Sequence, residues 1–155
     1  MRRRVRDLQE KDTVYDSPQG WVRRHIQNYV ESGGKKGHIW NGAPTLLLTT
    51  RGRKTGKLRR IALIYGQDGD SYIVVGSVGG AHKHPMWYLN LRDDPEVEIQ
   101  VGNQVMKARA RTASPAERIR LWPKMAEIWP DYDKYQQRTR REIPIVIIDP
   151  DHNPE

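Results

Sequence analysis

The most constraining stretch of this 155-residue sequence is residues 45–91, where apolar segments alternate with turns and one of the turns is strongly basic. Thr45–Thr50, Ile61–Gly66 and Ser71–Gly76 are rich in β-branched and aliphatic residues, which is typical of buried strands. The connection RGRKTGKLRR contains six basic residues in ten, and its glycines permit a tight turn. This stretch therefore predicts paired strands that present cations at a candidate anion-binding site.

The segment after the third strand adds two further features of a ligand site. The sequence Ser77-Val78-Gly79-Gly80 lets a flat or phosphorylated ligand lie against the backbone. Pro85 suits the first position of a helix, and the helix that it begins is apolar and aromatic. Two simpler interpretations stay open, namely that the basic turn is only solvated and that the aromatic residues are ordinary core.

The rest of the chain predicts three more strands and further helices. Residues 97–101 and 105–113 alternate apolar and polar residues, and residues 143–148 form a buried apolar run. Residues 18–32 carry an amphipathic helical stripe, and Ser114–Glu117 is a capping box that begins another helix. About six mostly antiparallel strands with flanking helices predict an α+β, mainly β fold in the form of a partly open barrel.

The helix after the capping box raises one question about its length. Pro123 lies in its second turn and is expected to kink or divide it, and Trp129-Pro130 is expected to end it. Asp131–Gln137 then forms a short turn or helix.

Composition and charge limit the kind of protein. The net charge of +8 favours an anionic partner, and the absence of cysteine excludes disulfides and thiolate chemistry. Residues 1–16 are predicted to be a mobile basic arm, followed by a single domain at residues 17–155. The arm's early arginines could contact an anionic membrane surface, although a solvated tail is the simpler alternative. We expect a cytoplasmic protein, with peripheral association at the inner face of the cell membrane left open.

Five motifs in order resemble one known family: TTRGRKTGK, GSVGG, PMWYLNL, WPDYDKYQ and IPIVIIDP, which extend from about Pro44 to Pro150. They resemble the deazaflavin-dependent nitroreductases of actinobacteria. Members of that family are split β-barrels that use coenzyme F-420, an 8-hydroxy-5-deazaflavin. The resemblance implies an oxidoreductase that transfers a hydride from reduced coenzyme F-420 to a quinone, nitroaromatic or α,β-unsaturated carbonyl acceptor.

The resemblance also assigns cofactor-binding positions. Lys54 and Arg59 match residues that meet the phosphate and acidic tail of the cofactor, which agrees with the need of those groups for cations. Ile61, Ala62 and Val78 depart from the residues that are frequent in relatives, so the pose of the ring is less constrained than the phosphate contacts. The whole assigned set is Arg53, Lys54, Arg59, Ile61, Ala62, Val75, Gly76, Ser77, Val78, Gly79, Gly80, Met86 and Trp87.

On the acceptor side, Ile64, Trp129, Tyr132 and Tyr135 match positions that line the substrate pocket of relatives. Such a pocket suits a flat acceptor. Tyr132, Tyr135 and Ser77 are the candidate catalytic residues, since a tyrosine hydroxyl could donate a hydrogen bond or a proton. The alternative is that both tyrosines only pack a C-terminal helix against the barrel.

Two other functions are compatible with parts of the sequence. A split barrel that binds FMN could use the same cations for its phosphate. A basic barrel that binds nucleic acid would fit the charge, although the apolar helix after Pro85 argues against it, and we expect no nucleic-acid partner. No metal is expected, because His82 and His84 lack further ligands and are predicted to be solvated.

Overall fold

The structure, a computed structural model, describes residues 13–18 and 20–151. Within those ranges the chain forms nine strands and four helices. None of these helices is both long and apolar enough to cross a membrane. In chain order the elements are β1 (Val14–Asp16), α1 (Gly20–Ser32), β2 (Ile39–Trp40), β3 (Ala43–Arg51), β4 (Leu58–Ile64), β5 (Gly66–Asp68), β6 (Ser71–Val75), a 3-10 turn (Val78–Gly80), α2 (Met86–Asp93), β7 (Glu96–Val101), β8 (Gln104–Thr112), α3 (Pro115–Ile128), α4 (Asp131–Gln137) and β9 (Ile145–Pro150).

The strands form one sheet that curls around a barrel core, and two further buried clusters lie between the sheet and the helices. Their order is β1-β4-β3-β7-β8-β9-β6-β5, with β2 paired to β3, and the pairing of β1 with β4 is parallel whereas the other described pairs are antiparallel. Leu46 of β3 and Val74 of β6 belong to the same buried cluster, although β7, β8 and β9 lie between their strands in the sheet. The sheet therefore closes into the partly open barrel that the sequence predicted.

Strand β3 is covered on both faces, which explains its continuous apolar sequence. Leu46 and Leu48 face the barrel core, whereas Leu47 packs under α1 against Ile26 and Tyr29. The Tyr29 hydroxyl donates to the Thr45 carbonyl oxygen at 2.9 Å, so it fixes α1 to the start of β3. This helix therefore packs on the barrel through one stripe, whereas Val30, which follows Tyr29, is exposed.

Each of the six predicted strands is confirmed by a strand in the same region, but β1, β2 and β5 were missed. Strand β1 shows that the predicted end of the arm at residue 16 is wrong, because Val14–Asp16 pair with β4. Asp16 also forms an ion pair with Arg60 at 2.6 Å. The remainder of the predicted mobile arm, residues 1–12, lies outside the described residues.

Helix α3 begins with the predicted capping box and continues through its internal proline. Ser114 Oγ accepts a hydrogen bond from the Glu117 N–H at 3.2 Å, and a Glu117 carboxylate oxygen accepts one from the Ser114 N–H at 2.8 Å. Pro123 does not divide the helix, which ends at Ile128. Pro123 has no N–H to donate to the carbonyl oxygen of Ile119, four residues earlier. Both residues are exposed, so this carbonyl lies on the solvent side of the helix.

The charge of Glu117 makes a pH-dependent contribution to stability. Two hydrogen bonds from Arg111 and one from the Ser114 N–H lower the pKa of Glu117 from 4.5 to about 2. Because the folded-state pKa is the lower one, this contribution is complete above pH 4.5 and is lost as the pH falls towards 2. We expect the difference in melting temperature between the wild type and Glu117→Gln to shrink over that range. The control variant Glu127→Gln, in an exposed side chain of the same helix, should show no such change.

Candidate functional site

A single open cleft of about 1060 Å³ brings together most of the residues that the sequence assigned to ligand binding. Its walls come from α1, β4, the basic turn after β3, the glycine loop after β6, the start of α2 and the junction of α3 with α4. The predicted residues that line it are Arg53, Lys54, Arg59, Ile61, Ala62, Ile64, Val75, Ser77, Val78, Gly79, Met86, Trp87, Trp129, Tyr132 and Tyr135.

The basic end of the cleft is positioned by a buried asparagine. Asn90 of α2 accepts a hydrogen bond from the Arg53 N–H at 3.1 Å and donates one to Thr50 Oγ1 at 3.2 Å. The side chains of Arg53, Lys54 and Arg59 are exposed at this end, where an anion can reach them. Arg60 differs from these three cations because it is already paired with Asp16.

The glycine loop forms the central wall and has an unusual backbone. Ser77 is in the right-handed region, and Val78, Gly79 and Gly80 follow with φ angles of 45°, 59° and 83°. A Cβ at Gly80 would come within 2.7 Å of the Tyr135 carbonyl oxygen, so only glycine fits there. Because a Cβ at Gly76 would meet Pro144 at 3.0 Å, that glycine also faces the protein. Neither Gly76 nor Gly80 lines the cleft, so both shape the loop, and their direct contact with a cofactor stays a prediction.

The opposite end of the cleft is aromatic. Tyr132 and Tyr135 lie on one side of α4 with their rings in an edge-to-face arrangement, 6.1 Å between centroids. Burial raises the pKa of Tyr132, so its hydroxyl stays protonated at neutral pH. Trp129 Nε1 approaches the Tyr135 hydroxyl oxygen at 3.4 Å, which is a long hydrogen bond.

Sequence reasoning missed two tryptophans of this aromatic end. Trp40 stacks on Trp129 with 5.4 Å between ring centroids, and Trp21 stacks on Trp40 at 6.1 Å. This tryptophan stack, Trp21-Trp40-Trp129, joins α1 to the end of α3, and all three of its members line the cleft. The only sequence signal was the position of Trp21 beside the amphipathic stripe of α1.

Histidines contribute to the walls in two ways. His25 of α1 lines the cleft, and its Nε2 atom is buried without a hydrogen-bond partner in the described part of the chain. His84 is half-buried and was wrongly predicted to be solvated, since its Nδ1 atom lies 3.0 Å from Arg141 Nη1. Burial and the neighbouring cations Arg141 and Arg92 lower the pKa of His84, which keeps its ring neutral.

Residues 13–18 and 20–151 contain no cluster of three or more histidine, aspartate or glutamate side chains that could hold a metal.

The order of chemical groups along the cleft fits coenzyme F-420. Exposed cations at one end suit a phosphodiester and a glutamate tail, and the glycine loop with its aromatic neighbours suits a flat ring. One structural observation supports this fit. Val78 and Gly79 line the cleft, and their N–H groups make no hydrogen bond within the described residues. Successive unpaired amides of this kind attract the oxygens of an anionic or polar ligand.

The family model of the F420H(2)-dependent quinone reductases matches residues 21–150, a range that includes every predicted site residue. The chain belongs to this family. The resemblance to deazaflavin-dependent enzymes is thereby confirmed, and coenzyme F-420 is the cofactor that membership implies.

Individual F420H(2)-dependent quinone reductases and related structures are also similar to this chain. One such reductase of Mycobacterium tuberculosis is 40% identical over 131 residues, which cover 82% of this chain and 88% of that protein. A solved structure described as an F420-H2 dependent reductase is 38% identical with a TM-score of 0.64, covering 68% of this chain and 94% of that one. Another, described as a domain-swapped dimer, is 35% identical with a TM-score of 0.67, covering 86% of this chain and 100% of that one.

Proposed function

We propose that this protein transfers a hydride from reduced coenzyme F-420 to a quinone. The observation that carries the proposal is the continuity of one cleft, in a chain of this family, from three exposed cations past the glycine loop to the aromatic end. Nitroaromatic and α,β-unsaturated carbonyl compounds are flat as well, and the aromatic end could stack them in the same manner. The family match favours coenzyme F-420 over the FMN alternative.

The chain's own residues bind and align the reactants. Arg53, Lys54 and Arg59 would hold the anionic part of the cofactor, and Trp129 with Tyr132 would stack the acceptor. When bound, the reduced cofactor supplies the hydride. Hydroxyl donors at the aromatic end can stabilise the negative charge that develops on the acceptor.

The two tyrosines and Ser77 have different capacities for this stabilisation. Tyr132 is suited to donate a hydrogen bond but not to release its proton, because burial raises its pKa. Tyr135 is half-buried, and the contact of its hydroxyl with Trp129 leaves the hydroxyl proton available for a ligand. The Ser77 hydroxyl makes no hydrogen bond to another described residue, although the side chain is buried against the cleft.

Cofactor preference tests the proposal directly. We expect coenzyme F-420 to bind more tightly than FMN, and we expect binding to quench tryptophan fluorescence, because Trp87 and Trp129 line the cleft. Titration of each cofactor, followed by turnover with a soluble quinone, gives the measurement. Tighter binding of FMN would contradict the proposal, and so would binding of an oligonucleotide in place of either cofactor.

We also propose, as a separate point, that the protein is cytoplasmic and that its basic N-terminal arm contacts anionic membrane. What supports this is the sequence alone, with arginines at Arg2, Arg3, Arg4 and Arg6. These residues lie outside the described part of the chain. Co-sedimentation with anionic vesicles, compared between the full chain and a chain that lacks residues 1–12, measures the contact.

A further inference from the structure

We propose that Arg141 is a positioning residue for hydride transfer, because it holds the glycine loop (residues 76–81) in place beside the acceptor end of the cleft. This inference rests on the proposed function. Arg141 itself does not line the cleft, so it would act through the loop.

Arg141 uses all three of its guanidinium nitrogens on the segment that carries the loop. Nη1 donates to the Gly76 carbonyl oxygen at 3.1 Å, Nη2 donates to the Ser77 carbonyl oxygen at 2.8 Å, and Nε donates to the Ala81 carbonyl oxygen at 2.8 Å. Nη1 also lies 3.0 Å from Nδ1 of His84, whose neutral ring accepts a hydrogen bond. A planar guanidinium can bind several acceptors in this way, whereas a lysine ammonium cannot reproduce its fork geometry.

The loop needs such support because its backbone is strained. Val78 is β-branched and has a φ of 45°, a conformation that such residues rarely adopt. Strained backbone persists only where the surrounding structure holds it, and it is concentrated at functional sites. Arg141 binds carbonyl groups on either side of Val78, at Ser77 and Ala81, and therefore holds both ends of the strained segment.

The same contacts determine which side of the loop faces a ligand. The carbonyl groups of Gly76, Ser77 and Ala81 are occupied by Arg141, whereas the N–H groups of Val78 and Gly79 make no hydrogen bond within the described residues. Val78 and Gly79 line the cleft. Release of the carbonyl groups would let the loop rotate and would remove these amides from a bound cofactor.

The loop is also connected to the acceptor end. Gly80 lies directly against the backbone of Tyr135, and Arg138 donates to the Gly79 carbonyl oxygen at 3.2 Å. The cofactor loop and α4 are therefore held together by the segment that includes Arg138 and Arg141. Because hydride transfer is sensitive to displacements of about 1 Å, a shift of the loop would slow the reaction as well as weaken binding.

The test compares Arg141→Lys with the matched control Arg140→Lys, because Arg140 is an exposed arginine of the same basic run that makes no hydrogen bond or ion pair within the described residues. In Arg141→Lys we expect the Kd for oxidised coenzyme F-420 to rise by roughly tenfold to hundredfold. We also expect kcat at saturating reduced cofactor to fall by about tenfold or more. Arg140→Lys should change both quantities by less than about threefold, since it keeps the charge and disturbs no contact with the loop. Equal effects of the two variants, or a wild-type Kd in Arg141→Lys, would overturn the proposal.

Hydrogen exchange on the cofactor-free protein provides a readout that is independent of turnover. The Gly80 N–H donates to the Ser77 carbonyl oxygen at 2.9 Å, and the Ala81 N–H donates to the Val78 carbonyl oxygen at 3.0 Å. In Arg141→Lys these two amides should exchange at least about tenfold faster, while amides of β9 keep wild-type protection.

If Arg141→Lys does not fold, Arg141→Gln takes its place in both experiments, and unchanged exchange in the folded variant contradicts the proposal. If the wild type itself fails to bind coenzyme F-420, the proposed function is wrong, whatever hydrogen-exchange rates the loop amides show.

Discussion

Replacement of either Lys54 or Arg59 by alanine is expected to weaken the binding of coenzyme F-420 by about 1.5 to 3 kcal/mol, which is the range for hydrogen bonds to charged groups. Both side chains are exposed at the basic end of the cleft. Arg59 also lies over the Tyr15 ring at 5.5 Å, so part of its side chain is already positioned before a ligand binds. Tryptophan fluorescence titration of the purified variants measures the loss.

Lys57→Ala is the matched control for these two variants. Lys57 belongs to the same basic turn and also lies over the Tyr15 ring, at 5.2 Å, but it does not line the cleft. We expect this variant to bind the cofactor with nearly wild-type affinity, and we expect wild-type affinity to fall with added salt. If all three variants bind the cofactor with wild-type affinity, the basic turn is only a solvated surface and the anionic part of the cofactor lies elsewhere.

The fold could be predicted where the sequence shows a regular period. The long strands and the capping box of α3 are local signals, because alternation over five or more residues and a Ser-x-x-Glu motif depend on nearby residues alone. Strands β1 and β2 have three and two residues, which is too short for any period. They are fixed instead by distant partners, such as Arg60 for Asp16 and Trp129 for Trp40.

The site could be predicted where its residues are close together in the chain. The basic turn, the glycine loop and the start of α2 all lie within residues 51–87, so their common role could be inferred before the fold was known. Trp21, Trp40 and Arg141 come from three separate segments, and only the folded barrel brings them to the cleft or behind its loop. In the sequence Arg141 belongs to a basic run, RTRR, that resembles ordinary solvated surface.

Tyr135→Phe should separate catalysis from binding at the acceptor end. The substitution removes one hydroxyl and keeps the ring that packs edge-to-face on Tyr132, so we expect unchanged affinity for the cofactor. Turnover should fall by about tenfold to a thousandfold if the hydroxyl stabilises the developing anion or gives a proton. Rates with a quinone at saturating reduced cofactor, together with melting curves of the same samples, measure both effects.

Two further variants distinguish this role from packing. Tyr72→Phe is the control, because Tyr72 is also half-buried and in an edge-to-face aromatic contact, with Tyr65, but does not line the cleft. Tyr132→Ala should raise the acceptor KM by removing stacking area, and its loss of a buried aromatic ring should lower stability by about 3 to 5 kcal/mol. If Tyr135→Phe lowers only the melting temperature and leaves turnover per folded molecule intact, α4 covers the cleft without taking part in the reaction. A loss of turnover confined to Tyr135→Phe, with Tyr72→Phe at wild-type rate, would identify the hydroxyl as the group that acts on the acceptor.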